Sequence, residues 1–202
     1  RKLYSLNNDV IIINGRSKPV LTPELENVTQ RLSRFKGESK LFIHIGRHAP
    51  EKNQNVLFEA ISKLEGIKLL VLGRGFEGLD NLGGRILFEG ARPNIGDYIA
   101  SADYFILSSL YEGLPISLLE AMSFGVIPIS TPAGGVVDVI RNGENGFIAK
   151  AFDSSALADA IKRALSSSID KESIVTEYES LYSIESCTLK YLNLFIEMRC
   201  IL

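Results

Sequence analysis

The fold is constrained most strongly by an alternation of short apolar runs with segments of helical spacing between residues 10 and 165. Continuous apolar runs are typical of strands buried on both faces of a parallel sheet. The intervening segments, such as residues 24–35 and 54–64, repeat apolar side chains every three or four positions, which indicates helices. The predicted strands are residues 10–13, 41–45, 68–72, 85–88, 104–109, a run within 123–130, and 147–149. This order predicts an α/β fold with a doubly wound parallel sheet and right-handed crossovers.

Composition limits the class of protein. The chain has 202 residues, 46% hydrophobic and 23% charged, which fits one globular domain over residues 1–202. A formal net charge of -2 gives no basic footprint for nucleic acid. Cys187 and Cys200 lack the spacing of metal ligands and are too few to staple the chain, which indicates a reducing compartment. Since neither a membrane-length apolar run nor a secretory leader is present in the sequence, we expect a cytoplasmic protein.

Residues 111–122 combine two carboxylates with the start of a helix. Glu112 follows the predicted strand at 104–109, so it lies at a strand's carboxyl end, where open α/β sheets bind ligands. Glu120 falls about two turns into a helix that begins near Gly113, which lets both carboxylates face one crevice. Free backbone N–H groups at the helix start favour phosphate or sugar oxygens. The segment therefore predicts a donor site for a phosphorylated sugar.

A second loop, residues 46–53, carries two cations after the strand predicted at 41–45. Arg47 and Lys52 have the chemistry to bind a diphosphate, Arg47 by a bidentate fork and Lys52 as a point charge. The alternative, two solvated surface charges, stays open on this loop alone. His44 and His48 lie across a strand-to-loop boundary rather than on one helix face, so we predict no metal site.

The competing signal is Gly73-x-Gly75-x-x-Gly78, which matches the dinucleotide-binding pattern. That interpretation requires a helix after the glycines and an acidic residue about twenty positions further on. Here the next strand is predicted at 85–88, and Glu89 follows it too closely. We therefore interpret the glycines as tight turns. The loop after this strand holds Gly90 and Arg92, which either flank a base or form a plain turn.

Several short motifs occur together in a specific order. They are Gly46-Arg47 with Glu51-Lys52-Asn53, Gly73-Arg74-Gly75, Glu112-Gly113-Leu114-Pro115 with Glu120-Ala121-Met122, Gly134-Gly135, and Asn142-Gly143. Glu112 and Glu120 have seven residues between them, as in the E-x7-E motif. In this order and spacing, nearly the whole chain resembles the donor-binding half of a family 4 glycosyltransferase.

The resemblance implies a Rossmann-like domain, the C-terminal half of a GT-B enzyme that retains anomeric configuration and requires neither a metal nor a cofactor beyond its nucleotide-sugar substrate. Arg47 and Lys52 would stabilise charge on the leaving diphosphate, Glu112 would contact hydroxyls of the transferred sugar, and Glu120 would bind the ribose. The resemblance also assigns donor-binding residues, which are Gly46, Gly90, Arg92, Gly113, Leu114, Pro115, Ile116 and Ser117.

The same resemblance implies a separate N-terminal acceptor domain, toward which the last helices, about residues 170–202, would pack. We therefore expect this chain to be a donor-binding fragment with no measurable transferase activity by itself. The expected acceptor is a saccharide or a lipid-linked saccharide in bacterial surface polysaccharide synthesis, with the full-length protein cytoplasmic and peripherally associated with the inner face of the membrane. The alternatives are a non-catalytic nucleotide-binding module and an NAD-dependent oxidoreductase. The sequence does not select among UDP, GDP and ADP.

Overall fold

A computed structural model describes the backbone of residues 10–199 and the side chains of residues 10–197. The two ends of the predicted 1–202 domain and Cys200 lie outside this range. Cys187 is buried and not in a disulfide.

A single parallel sheet forms the centre of the described fold. Its strands are β1 (Lys40–Ile45), β2 (Ile67–Leu72), β3 (Ile86–Gly90), β4 (Tyr104–Leu107), β5 (Ile127–Ser130) and β6 (Phe147–Ile148). The strands lie in the order β3-β2-β1-β4-β5-β6, and every pairing is parallel. This arrangement confirms the predicted doubly wound sheet. The order reverses between β1 and β4, so their carboxyl ends flank the crevice where this fold binds ligands.

Helices cover the sheet and extend the chain beyond it. They are α1 (Leu25–Lys36), α2 (Gln54–Ser62), α3 (Ile95–Ala100), α4 (Ile116–Met122), α5 (Ser154–Leu165), α6 (Lys171–Glu177) and α7 (Ile184–Arg199). A π-helical segment, Tyr178–Tyr182, separates α6 from α7. Asp153 caps α5 by accepting from the Ala156 N–H at 2.8 Å, which explains why the helix begins at Ser154.

The strand predicted for residues 10–13 is wrong. These residues form no strand, and Ile11 is 89% exposed. The chain is fixed a few residues later, at Arg16, whose N–H donates to the Tyr182 carbonyl at 2.9 Å and whose carbonyl accepts from the Tyr178 hydroxyl. A short apolar run has the composition of a buried strand even where no neighbouring strand is available to pair with it, so composition alone does not predict a strand here.

The core lies on both faces of the sheet. Phe42 in β1 and Phe105 in β4 are fully buried, and the Phe42 ring stacks on Tyr104 with 4.7 Å between centroids. Burial of a side chain of this size stabilises the fold by about 1.5–3 kcal/mol. The central strands are therefore firmly held, and the loops that follow β1 and β4 begin from a rigid base.

The glycines at 73, 75 and 78 form turns, as predicted. No helix occurs between Gly73 and Ile86, a segment that is described throughout, so the crossover required by the dinucleotide interpretation is missing. A Cβ on Gly73 would overlap the carbonyl oxygen of Gly46, which explains the need for glycine where the loops after β1 and β2 touch.

Candidate functional site

Two loops meet at the switch point of the sheet. One follows β1 and carries Lys52, and the other follows β4 and carries Glu112. The Lys52 ammonium lies 2.7 Å from the Glu112 carboxylate, and the Ser108 hydroxyl donates to the Lys52 carbonyl at 2.7 Å. The Leu110 N–H donates to the Glu51 carbonyl at 2.9 Å. The structure therefore brings Lys52 and Glu112 together and joins their loops by backbone contacts.

The Lys52–Glu112 ion pair is largely shielded from solvent. The Ser109 hydroxyl also donates to the Glu112 carboxylate, at 2.6 Å. Charges in such a place interact more strongly than charges in bulk water. The pair places one cation and one multivalent hydrogen-bond acceptor side by side, a combination that suits a substrate with both phosphate and hydroxyl groups.

Arg47 lies at the mouth of the same loop. Its side chain is 73% exposed and bonds the Glu51 carboxylate at 2.6 Å. The hydrogen bond from Arg47 lowers the pKa of Glu51. Arg47 is thus close in sequence and space to Lys52, but its guanidinium faces solvent, where an incoming anion has access to it.

A buried histidine and glutamine lie beneath the Arg47 loop. The His44 Nδ1 lies 3.0 Å from the Ile106 carbonyl, and its Nε2 lies 3.3 Å from the Gln54 amide nitrogen. That amide nitrogen donates to the Arg47 carbonyl at 2.7 Å. Burial lowers the pKa of His44 from 6.5 to about 4, so the ring is neutral at physiological pH. The sequence signal for this network is a histidine within an apolar strand, although from the sequence we consider His44 only as a candidate metal ligand.

The low pKa of His44 predicts a specific acid sensitivity. Because unfolded His44 takes up a proton near pH 6.5 and the folded ring only near pH 4, this residue destabilises the fold as pH falls through that window. The contribution amounts to about 3 kcal/mol between about pH 7 and about pH 4. Urea unfolding at both pH values measures the fall in the free energy of unfolding. We expect this fall to be smaller by about 3 kcal/mol in His44→Asn than in the unsubstituted chain. Equal losses in the two proteins would contradict the prediction.

The loop from Gly113 to Pro115 leads into α4, which begins at Ile116. Pro115 supplies no side-chain cap, which leaves the first N–H groups, those of Ile116 and Ser117, for another acceptor. Leu114 is partly buried against the core. The predicted helix start is therefore displaced from Gly113 by the extended backbone at Pro115, but its N–H groups remain at the carboxyl end of β4.

The backbone of Gly134 and Gly135 packs closely against the backbone of the Glu112 loop. A Cβ on Gly134 would overlap the Glu112 carbonyl oxygen, and one on Gly135 would overlap the Gly113 carbonyl oxygen. The Gly135 N–H also donates to the Glu112 carbonyl at 3.3 Å. The two glycines allow a close backbone approach that any side chain would block.

Glu120 has a partner that the sequence did not reveal. Its buried carboxylate accepts from Arg16 at 2.9 Å (Nε) and 2.7 Å (Nη2), both at Oε1. Since α4 begins at Ile116, Glu120 lies little more than one turn into the helix rather than two. Among the described residues, no hydrogen bond or ion pair joins Glu120 to Lys52 or Glu112, so the two glutamates occupy separate charged clusters.

A cavity of about 370 Å³ lies beside the Arg47 loop. It is lined by Ile45, Gly46, Arg47, Leu72, Gly73, Arg74, Ala91, Arg92 and Ile95. Three predicted site residues, Gly46, Arg47 and Arg92, thus meet at one cavity, and the Arg92 guanidinium bonds the Glu89 carboxylate at 2.6 Å. Gly90 lines a neighbouring cavity with Phe76 and Phe88. Arg74 belongs to the Gly73-Arg74-Gly75 motif but is not among the predicted site residues, although its position two residues after β2 indicates this edge of the sheet.

Two further features concern metals and membranes. In the part of the chain that the structure describes, no three His, Cys, Asp or Glu side chains are grouped closely enough to hold a metal ion. Over the same residues, no helix has both the length and the apolar composition needed to cross a bilayer.

The sheet order and the charged loops at its switch point define the class of protein, a Rossmann-like domain with a ligand crevice between β1 and β4. The family follows from the sequence match. Residues 28–179 match the family model described as Glycosyl transferases group 1, and the chain belongs to that family.

Two curated relatives illustrate its range. N-acetyl-alpha-D-glucosaminyl L-malate synthase of Bacillus anthracis is 29% identical over 171 residues, covering 71% of this chain and 45% of the relative. The lipopolysaccharide core biosynthesis glycosyltransferase LpsE of Rhizobium meliloti is 29% identical over 170 residues, covering 78% of this chain and 50% of the relative. The chain thus spans about half the length of the curated relatives it matches.

Solved structures show the same fold. HepE of Anabaena, determined with UDP, superposes with a TM-score of 0.76 at 19% identity, covering 92% of this chain and 57% of HepE. HepE has also been determined with UDP-glucose. Sucrose-phosphate synthase of Thermosynechococcus elongatus gives a TM-score of 0.75 at 21% identity, covering 95% of this chain and 53% of that enzyme. The fold is that of a GT-B glycosyltransferase domain.

Proposed function

We propose that this chain is the donor-binding part of a retaining, metal-independent glycosyltransferase that uses a nucleotide-diphosphate sugar. The observation that carries the proposal is the Lys52–Glu112 pair at the switch point, within the segment that matches the family. A cation for phosphate and a carboxylate for hydroxyl groups are adjacent there. These are the two kinds of contact that a sugar diphosphate requires.

Arg47 and Lys52 bind the diphosphate in this proposal. Their positive charges stabilise the negative charge that grows on the leaving nucleotide as the glycosidic bond breaks. Glu112 accepts hydrogen bonds from the hydroxyls of the transferred sugar, and the free N–H groups of Ile116 and Ser117 face its phosphate. The loop contacts among Ser108, Leu110 and the Lys52 loop support this assignment, because they fix the distance between the two kinds of ligand.

The nucleoside occupies the neighbouring cavity in the same proposal. Arg92, which lines this cavity, and the backbone near Gly90, which lines the adjoining one, lie beside the base. Glu120, which lines neither cavity, binds the ribose hydroxyls in this proposal. Arg16 already bonds Glu120 through Oε1, so ribose binding uses the remaining lone pairs of that carboxylate or displaces Arg16. HepE binds UDP and UDP-glucose with the same fold, which supports a uridine nucleotide as the first donor to test.

The acceptor is a saccharide or lipid-linked saccharide bound mainly by a separate domain. The described part of α7 exposes a row of large apolar side chains, Leu189, Leu192, Phe195 and Ile196, on which such a domain would pack. LpsE, which acts in lipopolysaccharide core biosynthesis, supports a role in bacterial surface polysaccharide. A lipid-linked acceptor would bring the full-length protein to the inner membrane surface.

Calorimetric titration with UDP, GDP, ADP and NAD tests the proposal. We expect one nucleoside diphosphate to bind, and we expect Arg47→Ala and Glu120→Ala each to weaken its affinity by about tenfold or more, because each removes a hydrogen bond to a charged group. Arg34→Ala is the matched control, since Arg34 is exposed on α1. Binding of NAD alone, or affinities unchanged in both site variants, would reject the donor-site assignment.

A further inference from the structure

We infer that Gln54, anchored by His44, is a positioning residue that fixes the Arg47 loop for binding the donor diphosphate. This inference rests on the proposed function and extends it to residues that do not touch the ligand. Gln54 is the first residue of α2 and is 2% exposed. Its effect on binding must therefore pass through the loop that it holds.

The Gln54 side chain contacts both ends of a three-residue stretch. Its amide nitrogen donates to the Arg47 carbonyl at 2.7 Å, and its amide oxygen accepts from the Ala49 N–H at 3.4 Å. These contacts fix the backbone on both sides of His48. A single buried side chain thus sets the path of the loop that carries Arg47.

His44 determines which way the Gln54 amide points. The Ile106 carbonyl can only accept, so His44 Nδ1 carries the proton and donates to it. His44 Nε2 is then an acceptor and faces the Gln54 amide nitrogen at 3.3 Å. A flipped amide would place two acceptors together at His44 and also at the Arg47 carbonyl. The neutral histidine therefore selects one orientation of the Gln54 amide.

The network spans the crevice from below. It begins at Ile106 in β4, passes through His44 in β1 and Gln54 in α2, and ends at the Arg47 backbone. β4 also leads into the loop that carries Glu112. The network therefore connects the Arg47 loop, which binds the diphosphate in the proposed function, to the strand that precedes the sugar-binding residue Glu112. A fixed distance between Arg47 and Glu112 reduces the conformational entropy that the loops lose when the nucleotide sugar binds.

The variant Gln54→Met tests the inference, because methionine has a similar shape but makes none of the three hydrogen bonds. Its affinity for the tightest-binding of UDP, GDP and ADP should fall about tenfold in calorimetry. The decisive measurement is a double-mutant cycle with Arg47→Ala. If Gln54 acts by placing Arg47, the same substitution in the Arg47→Ala background should change affinity by less than about twofold.

A matched control is Asn145→Leu. Asn145 is another buried amide that donates to a backbone carbonyl, that of Val139, and it lies in the Arg141–Glu177 cluster. This variant should lower the melting temperature and leave nucleotide affinity unchanged. If Gln54→Met does not fold, His44→Asn replaces it, because asparagine keeps a donor for the Ile106 carbonyl and removes the acceptor that orients Gln54.

The outcomes separate this inference from the proposed function. Wild-type affinity in the Gln54 variant, or the same tenfold loss with and without Arg47, would overturn the positioning role while leaving the donor site intact. If the unsubstituted chain binds none of the three nucleoside diphosphates, the proposed function fails and this inference fails with it. If Gln54→Met weakens nucleotide affinity only when Arg47 is present, the result supports both the positioning role and the donor site.

Discussion

Replacing Lys52 with alanine should reduce the turnover of the full-length protein by about 10²–10³-fold, the usual cost of removing one preorganised charge from a transition state. Lys52 is bonded to Glu112 at 2.7 Å, so the substitution also leaves that partly buried carboxylate without its cation. The measurement is release of nucleoside diphosphate from the donor sugar at saturating acceptor. We expect kcat to fall more than substrate affinity, because the charge on the leaving group is largest in the transition state.

Lys63→Ala provides the matched control for Lys52→Ala. Lys63 also pairs with a glutamate, Glu59 at 2.9 Å, but it lies at the end of α2, away from the crevice, where it also donates to the Ser154 hydroxyl at 2.7 Å. Its loss should leave turnover unchanged and lower the free energy of unfolding by about 1 kcal/mol or less. Turnover within about threefold of wild type in Lys52→Ala would show that the diphosphate is neutralised by other groups.

Replacing Phe105 with alanine should lower the free energy of unfolding by about 3–5 kcal/mol, which is a large part of the stability of an ordinary domain. Phe105 is fully buried in β4, opposite Ile43 of β1 and Pro128 of β5. The cavity left by the ring lies directly below the strand end that leads to Glu112. Urea unfolding followed by circular dichroism measures the change.

The control for Phe105→Ala is Phe152→Ala, since Phe152 is 39% exposed just before α5. Its removal should change the free energy of unfolding by about 0.5 kcal/mol or less. A cost below about 2 kcal/mol for Phe105→Ala would mean that the neighbouring side chains collapse into the space, and that β4 is less rigid than its packing indicates.

The strand and helix pattern was predictable because the central sheet is buried on both faces. Runs such as residues 41–45 and 68–72 correspond to β1 and β2 within one residue at either end. The failure at residues 10–13 has a physical cause. An apolar run reports a preference for burial but not which surface provides it, and here the neighbouring residues are fixed by Tyr178 and Tyr182 instead of a strand.

The candidate site was predictable where local geometry determines it. Loops at the carboxyl ends of neighbouring parallel strands must meet, so the proximity of Lys52 and Glu112 followed from the fold. Arg16 and Glu120 are 104 residues apart, and no local pattern indicates that their side chains pair. The hydrogen bonds of the Gln54 side chain could not be predicted for a similar reason, because His44, Arg47 and Ala49 surround it only after β1 and α2 have packed.

Four cations around the crevice are each bonded to a carboxylate. The pairs are Arg16–Glu120, Arg47–Glu51, Lys52–Glu112 and Arg92–Glu89. The charges within each pair largely offset one another at long range, so these pairs add little to the attraction that a distant diphosphate experiences. The same carboxylates compete for the cations when the spent nucleotide begins to leave. In the proposed function, this internal pairing slows capture of the nucleotide and eases its release, which favours repeated turnover.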